Sequence, residues 1–445
     1  MLKIYTTEEA QKSILQRLPL DEMKVSPQLL TGINQMFGAS LTPEEAVRQI
    51  LKEIRREGDV ALQRWSAILD SLEAVEFRVP IDEIRVAKNM ISEDERQALW
   101  LSVERIRRFY SRQPLASWSF QEGEGSLGQL VRPIKRIGIY VPGGTAPLPS
   151  SVLMTAVPAQ VAGVEEIVLA VPPERGTGKI APITLAAADM LGIEEIYTLG
   201  GAQAIGALAY GTQSIQPVDK IFGPGNLFVT LAKRQVFGTV GIDGLAGPTE
   251  TMVIADETAN PEWVAADLLA QAEHDVLASA ILLTSSLSFA EAVQGAVDRQ
   301  IQTLPRSEVV RESISANSGI VVTENLAESI RLANDYAPEH LCLSIANPNE
   351  SVAKITAAGG IFVGEYSCEV LGDYMAGPSH VMPTSGTARF ASPINVLDFV
   401  HLVSYVALDD SVSSALSREA AIIARAEGLE AHARAADARR KQFDK

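Results

Sequence analysis

Five histidines are spread over 445 residues, at His274, His340, His380, His401 and His432, so each one marks a place where metal or proton chemistry can occur. Gln271-Ala272-Glu273-His274 falls late in a helix predicted to open at Pro261. Residues three apart share a helical face, so the Gln271 amide and the His274 imidazole could reach one metal ion. Glutamine is a weak ligand, and the same tetrapeptide also reads as an ordinary polar helix end. Ala337-Pro338-Glu339-His340 places a carboxylate beside an imidazole at a predicted helix–strand junction. It reads either as a general acid–base pair at the C-terminal edge of a sheet or as a turn whose glutamate caps backbone amides. The loop Gly372–His380 holds Asp373 and His380 among glycine and proline, and it is either a functional loop or a turn capped by its aspartate. His432 shares a helical face with Leu429, Ala433 and Ala436 and defaults to a solvated position. Glu427, just before Gly428, defaults to surface charge.

Three glycine-rich turns follow predicted strands: Val141-Pro142-Gly143-Gly144-Thr145, Gly200-Gly201-Ala202-Gln203 and Phe222-Gly223-Pro224-Gly225-Asn226. Each lets backbone approach a phosphate or ring closely, with helix N-terminal amides as donors. None is the dinucleotide fingerprint G-x-G-x-x-G, so alone they indicate a ligand cleft and no more. Cys342, in the apolar strand Leu341-Cys342-Leu343, and Cys368, in a loop, carry no sign of an activated thiolate and read as structural.

The elements around these residues are those of an α/β protein. Capping boxes at Thr42–Glu45 and Ser92–Glu95 open two helices in a mostly helical first 120 residues. From Ile137 onward, short apolar runs alternate with helices in two blocks joined near Gly244–Glu250. This predicts two α/β domains with parallel, Rossmann-like sheets and a cleft between them. The expected division is a helical N-terminal segment over 1–30 and a discontinuous first α/β domain over 31–136 and 249–390. The second α/β domain covers 137–248, and a helical tail without strands covers 391–445. The uncharged run Ile137–Val164 is broken by Pro142, Pro147, Pro149 and Pro158, so it reads as buried strand and loop rather than a membrane span. Apolar residues at 47%, charged residues at 21% and a net charge of −17 describe a soluble enzyme that repels phosphate backbones. No nucleic-acid or membrane partner is expected. Two cysteines and an N-terminus without a signal-peptide pattern place the expectation in the cytoplasm.

Taken together, these segments resemble the histidinol dehydrogenase family over nearly the whole chain. The resemblance is carried by Arg136–Gly144, Gly200–Ile205, Gly223–Asn226, Ala246-Gly247-Pro248-Thr249-Glu250, Gln271–Asp275, Ala337–Leu341 and the Gly372–Thr384 loop. It implies a zinc ion held by Gln271, His274, Asp373 and His432, and NAD contacts at Tyr140, Gln203 and Asn226. It implies L-histidinol contacts at Thr249, Gln271, His274, His340, Asp373, Glu427 and His432. His340 would take the alcohol proton, and Glu339 would activate water in oxidation through L-histidinal to L-histidine. It further implies a homodimer whose tails, with Glu427 and His432, reach the partner's site, which replaces the default reading of both residues. Thr249 stands where many members carry serine, keeping the hydroxyl.

Three rivals make different predictions. A related dehydrogenase would oxidise another polar alcohol, and a zinc hydrolase would use Glu339 and His340 to activate water without reducing NAD. A non-catalytic metal-binding or scaffold protein would keep every measured activity after Glu339→Gln and His340→Ala.

Overall fold

The computed structural model describes residues 2–17, 27–72, 76–123, 125–143, 146–174 and 176–440. Among the described residues three sheets form, two of them wholly parallel. The five-stranded sheet runs in the order Glu195–Thr198, Glu166–Val171, Arg136–Tyr140, Lys220–Phe222 and Gly241–Ile242. The chain builds outward from Arg136–Tyr140 in one direction and then in the other, so strand order reverses between Tyr140 and Phe222. The run read as buried strand and loop is the strand Arg136–Tyr140 followed by the helix Pro149–Ala162, which buries nearly every side chain despite Pro158. No helix among the described residues is long and apolar enough to cross a membrane.

The six-stranded sheet runs in the order Ile4–Thr6, Gly319–Val322, Ser279–Thr284, Glu250–Ala255, His340–Ser344 and Gly360–Val363. Its interior strands are buried on both faces, as parallel strands flanked by helices must be. Its first strand corrects the expected helical N-terminal segment. Ile4–Thr6 adds an edge strand ahead of the short helix Thr7–Gln11, which is opened by a capping box between Thr6 and Glu9, and a second helix, Pro27–Phe37, begins within the same segment. Three paired residues leave too short a pattern to be told from a helix start.

Residues 31–136 also sit differently from the expected grouping with 249–390. The predicted capping boxes are present, and they open the helices Pro43–Glu57 and Glu93–Tyr110. Val47, Ile50, Leu51 and Ile54 of the first pack with Ala204, Ile205 and Leu208 beside the five-stranded sheet. Val103 and Ile106 of the second pack with the opposite layer around Leu153 and Met154. Each such side chain contributes roughly 2 kcal/mol of burial, so the apolar stripe chooses the sheet. Amphipathic periodicity predicts that a helix is covered and is silent about which sheet covers it.

A three-stranded antiparallel sheet joins Trp118–Glu122, Gly125–Pro133 and Val400–Ala407. Its last strand corrects the expectation of a strand-free tail. Most of its residues are exposed in the single chain, and Leu402-Val403 interrupts the in-and-out alternation that marks a half-buried strand. The helices Asp410–Ala426 and Glu430–Asp437 follow, joined through Gly428 and packed on each other through Ala421, Ala424 and Ala433. Residues 441–445 of the expected helical tail lie outside the described residues.

Candidate active site

The helix Leu326–Tyr336 stops because Ala337 takes a left-handed conformation and Pro338 follows; the next strand begins at His340. Glu339 and His340 therefore stand at the amino edge of the six-stranded sheet, not at the C-terminal edge that their junction suggested. The sheet is parallel, so every neighbouring strand also begins on this edge. His340 pairs in register with Thr251, which brings Thr249 and Glu250 alongside. The helix Pro261–Ala272 returns from the far edge and delivers Gln271 to the same place, with His274 in the turn just past the helix end rather than on its face as expected.

Both reactive side chains are buried and held on several sides. The Thr249 hydroxyl lies 2.7 Å from Glu339 Oε2 and 2.9 Å from Gln271 Oε1; with one proton to give, it serves one acceptor at a time. The Glu250 N–H donates to Glu339 Oε2 at 3.1 Å. His340 Nδ1 lies 3.2 Å from the Glu250 carbonyl oxygen, which only accepts, so Nδ1 carries a proton. That leaves Nε2 directed at Asp373 Oδ1, 3.3 Å away. Glu369, fully buried, accepts from Thr251 Oγ1 at 2.9 Å and from Gln271 Nε2 at 3.3 Å.

This crowd of acids around one imidazole moves every proton affinity. Burial disfavours the His340 cation, but Glu339, Asp373 and Glu369 outweigh it and push the imidazole up to about 10. Burial pushes Glu339 up to about 7 against the pull of His340 and Thr249, and Glu369 up to about 8. Asp373 is held below the ordinary carboxylate range, because its hydrogen bond and attraction to His340 exceed its burial penalty. Surrounding protein lowers His274, opposed by the charge of Asp373. A buried carboxylate poised near neutrality beside an imidazole is an acid–base pair suited to proton transfer.

Of the expected metal ligands, the structure brings Gln271, His274 and Asp373 to this one edge. His432 and Glu427 stand exposed on the C-terminal helical hairpin and join none of these hydrogen bonds. Among the described residues no three His, Cys, Asp or Glu side chains form a metal-sized group. An amide oxygen, an imidazole and a carboxylate form an N/O donor set of the kind zinc accepts, open to a further ligand.

The expected cofactor residues gather at the carboxyl edge of the five-stranded sheet, where its strand order reverses and α/β folds receive ligands. Tyr140 ends the strand Arg136–Tyr140, Gln203 lies in the first turn of the helix Gly201–Tyr210, and Asn226 caps the helix Leu227–Val236. Asn226 is exposed, with its Oδ1 accepting from the Phe228 and Val229 amides at 3.1 and 3.2 Å. Tyr140 and Gln203 are buried beneath the turn rather than open to it. The Tyr140 hydroxyl accepts from Gly201 N–H at 3.2 Å, and Gln203 Nε2 donates to Asp70 at 2.9 Å while its Oε1 has no hydrogen-bond partner among the described residues. Gly223 is required here: its φ is +108°, and a Cβ would stand 2.0 Å from the Tyr140 carbonyl. Gly144 and Thr145 of the first turn lie outside the described residues.

Sequence reasoning gave no role to Glu250, whose backbone holds both Glu339 and His340, or to Glu369, which lies just outside the motif Gly372–Thr384. His380, left outside the predicted site, approaches the Asp373 carbonyl through Nδ1 at 2.9 Å. Cys342 is buried in its strand, its thiol pushed well up by burial, in keeping with a structural role.

The family model described as histidinol dehydrogenase matches residues 39–440. This chain belongs to the histidinol dehydrogenase family. It is 49% identical over 422 residues to a histidinol dehydrogenase of Deinococcus radiodurans, covering 94% of this chain and 96% of that one. A histidinol dehydrogenase of Thermus thermophilus is 51% identical over 399 residues, covering 90% and 95%. The crystal structure of histidinol dehydrogenase from Elizabethkingia anophelis matches with a TM-score of 0.88 at 36% identity, covering 98% of each chain. The predicted resemblance and α/β class therefore hold, and the enzyme is an oxidoreductase of histidine biosynthesis.

Proposed function

We propose that the enzyme oxidises L-histidinol through L-histidinal to L-histidine, reducing two NAD⁺ in turn at one zinc-containing site. The observation that carries this reading is the buried Glu339–His340 pair beside the donor set Gln271, His274 and Asp373. These three side chains would hold zinc, with His432 of a second chain completing the set. When bound, NAD⁺ supplies the hydride acceptor and zinc a template for the substrate's imidazole and amino nitrogens. Tyr140, Gln203 and Asn226 shape the turns that would receive the nicotinamide cofactor.

In the first oxidation His340 takes the alcohol proton through Nε2, since Nδ1 is committed to the Glu250 carbonyl. Asp373 engaged with a cation would no longer stabilise the imidazolium, so the imidazole form would become available nearer neutrality. In the second oxidation Glu339 removes a proton from the water that attacks the aldehyde. Its carboxylate, poised at about 7, suits that task. The Thr249 hydroxyl holds Glu339 and faces the substrate position beside Gln271.

A homodimer follows from the same reading. Trp118, Phe120, Leu402, Val406, Leu416, Ile422 and Ile423 expose an apolar surface on the three-stranded sheet and the tail helix. A second chain seated there would cover it and bring its Glu427 and His432 within reach. We place this soluble biosynthetic activity in the cytoplasm. The test is NADH formation from L-histidinol by the zinc-loaded protein, before and after chelation. Activity lost on chelation and restored by zinc supports the proposal, whereas activity indifferent to zinc, or histidinol unchanged with no NADH, contradicts it.

A further inference from the structure

Arg17 ends the described part of the N-terminal arm, 233 residues away in sequence from Glu250, and yet its guanidinium closes a fork on the Glu250 carboxylate, with Nη2 2.8 Å from Oε2 and Nη1 on Oε1. The same group donates through Nε and Nη2 to the Tyr336 carbonyl at 3.2 and 2.8 Å, and lies 3.6 Å over the Tyr336 ring. These partners are not arbitrary. Tyr336 is the last residue of the helix that leads into Glu339-His340, and Glu250 opens the strand beside them. The backbone of Glu250 in turn donates to Glu339 and accepts from His340. One guanidinium therefore ties together the two elements whose relative position sets both reactive side chains. The Ser385 amide donates to the same Glu250 carboxylate at 3.1 Å, a third bond beside the two from Arg17. Lysine would restore the charge but only part of this geometry, because a point cation lacks the planar fork that spans a carboxylate and a carbonyl at once.

We propose that Arg17 is a positioning residue of the active site, acting through Glu250 and Tyr336 to hold Glu339 and His340 in reacting geometry. The proposal rests on the reading of Glu339 and His340 as the proton-transfer pair. It makes the N-terminal arm, through Arg17, part of the apparatus that positions the acid–base pair.

The test uses the full-length, zinc-loaded enzyme and its Arg17→Met and Arg17→Lys variants, with kcat and KM measured from L-histidinol and from L-histidinal. A misplacement of about 1 Å costs on the order of 10²-fold, so Arg17→Met should lower kcat about 30- to 100-fold in both half-reactions. KM for NAD⁺ should stay within about twofold, Arg17→Lys should recover part of the loss, and added ethylguanidine should raise Arg17→Met activity. A kcat within about threefold of wild type, or a loss shared equally by the NAD⁺ KM, overturns the proposal. If Arg17→Met does not fold, Glu250→Gln carries the test: the same kcat-selective loss is expected, and unchanged kcat overturns it. Wild-type enzyme inactive on L-histidinol would instead overturn the functional reading beneath the proposal.

Discussion

Glu339→Gln should separate the two proposed half-reactions. The substitution keeps shape and leaves an amide oxygen to accept from Thr249 and Glu250, but it removes one charge 3.6 Å from His340 Nδ1. At that distance and an effective dielectric near 20, the lost attraction is about 4–5 kcal/mol, equivalent to about 3 pH units. His340, now raised to about 10 in large part by Glu339, should fall toward neutrality. A general base works when deprotonated, so the rate of the first oxidation rises with pH through the His340 pKa; lowering that pKa moves the rise to lower pH. The first oxidation should therefore survive, with its acidic limb displaced downward. The second should lose about 10²- to 10⁴-fold, the ordinary contribution of a positioned base. Rapid-mixing measurement of NADH from L-histidinol in a single turnover, and separately from L-histidinal, checks both across pH. Equal losses in the two half-reactions, or an acidic limb that does not move, would refute the division of roles and the electrostatic argument behind it.

Two further outcomes are expected. Chains carrying His340→Ala and chains carrying His432→Ala, each inactive alone, should regain about a quarter of wild-type activity when mixed dimers form, because one composite site in each heterodimer is intact; confirmed heterodimers without activity would contradict a shared site. Asp267, raised by burial and by Glu365 from 3.8 to about 6, binds its proton more tightly folded than unfolded, so its contribution to stability is greatest below pH 3.8 and is lost as pH rises through about 6. Asp267→Asn should then stabilise the protein at pH 8 by up to about 3 kcal/mol, with the gain vanishing near pH 4 in calorimetry; a gain independent of pH would contradict burial of the charge as its cause.

Much of this architecture was legible in the residues. Alternating strands and helices announced two parallel sheets, and capping boxes at Thr42 and Ser92 marked helix starts that the structure keeps. Patterns with a buried face were readable because burial writes the period into the sequence. The strand Val400–Ala407 escaped because in a single chain both of its faces are largely exposed, so no in-and-out period is imposed. The packing of the helices within 31–136 escaped because an apolar stripe records that it is covered, not by what. The site shows the same division. Rare residue types in compact motifs pointed to Glu339, His340, Gln271, His274 and Asp373. Glu250 and Glu369 look like any surface acid in sequence; only the shared amino edge of a parallel sheet, and the burial it brings, turns them into partners of His340.

The central claim is a four-electron oxidation at one site, and the most direct measurement is the number of NADH formed per L-histidinol consumed when L-histidinol is limiting. The account predicts two, with no free aldehyde accumulating, because the pair Glu339 and His340 serves both oxidations in place. One NADH per substrate, with aldehyde released, would contradict it.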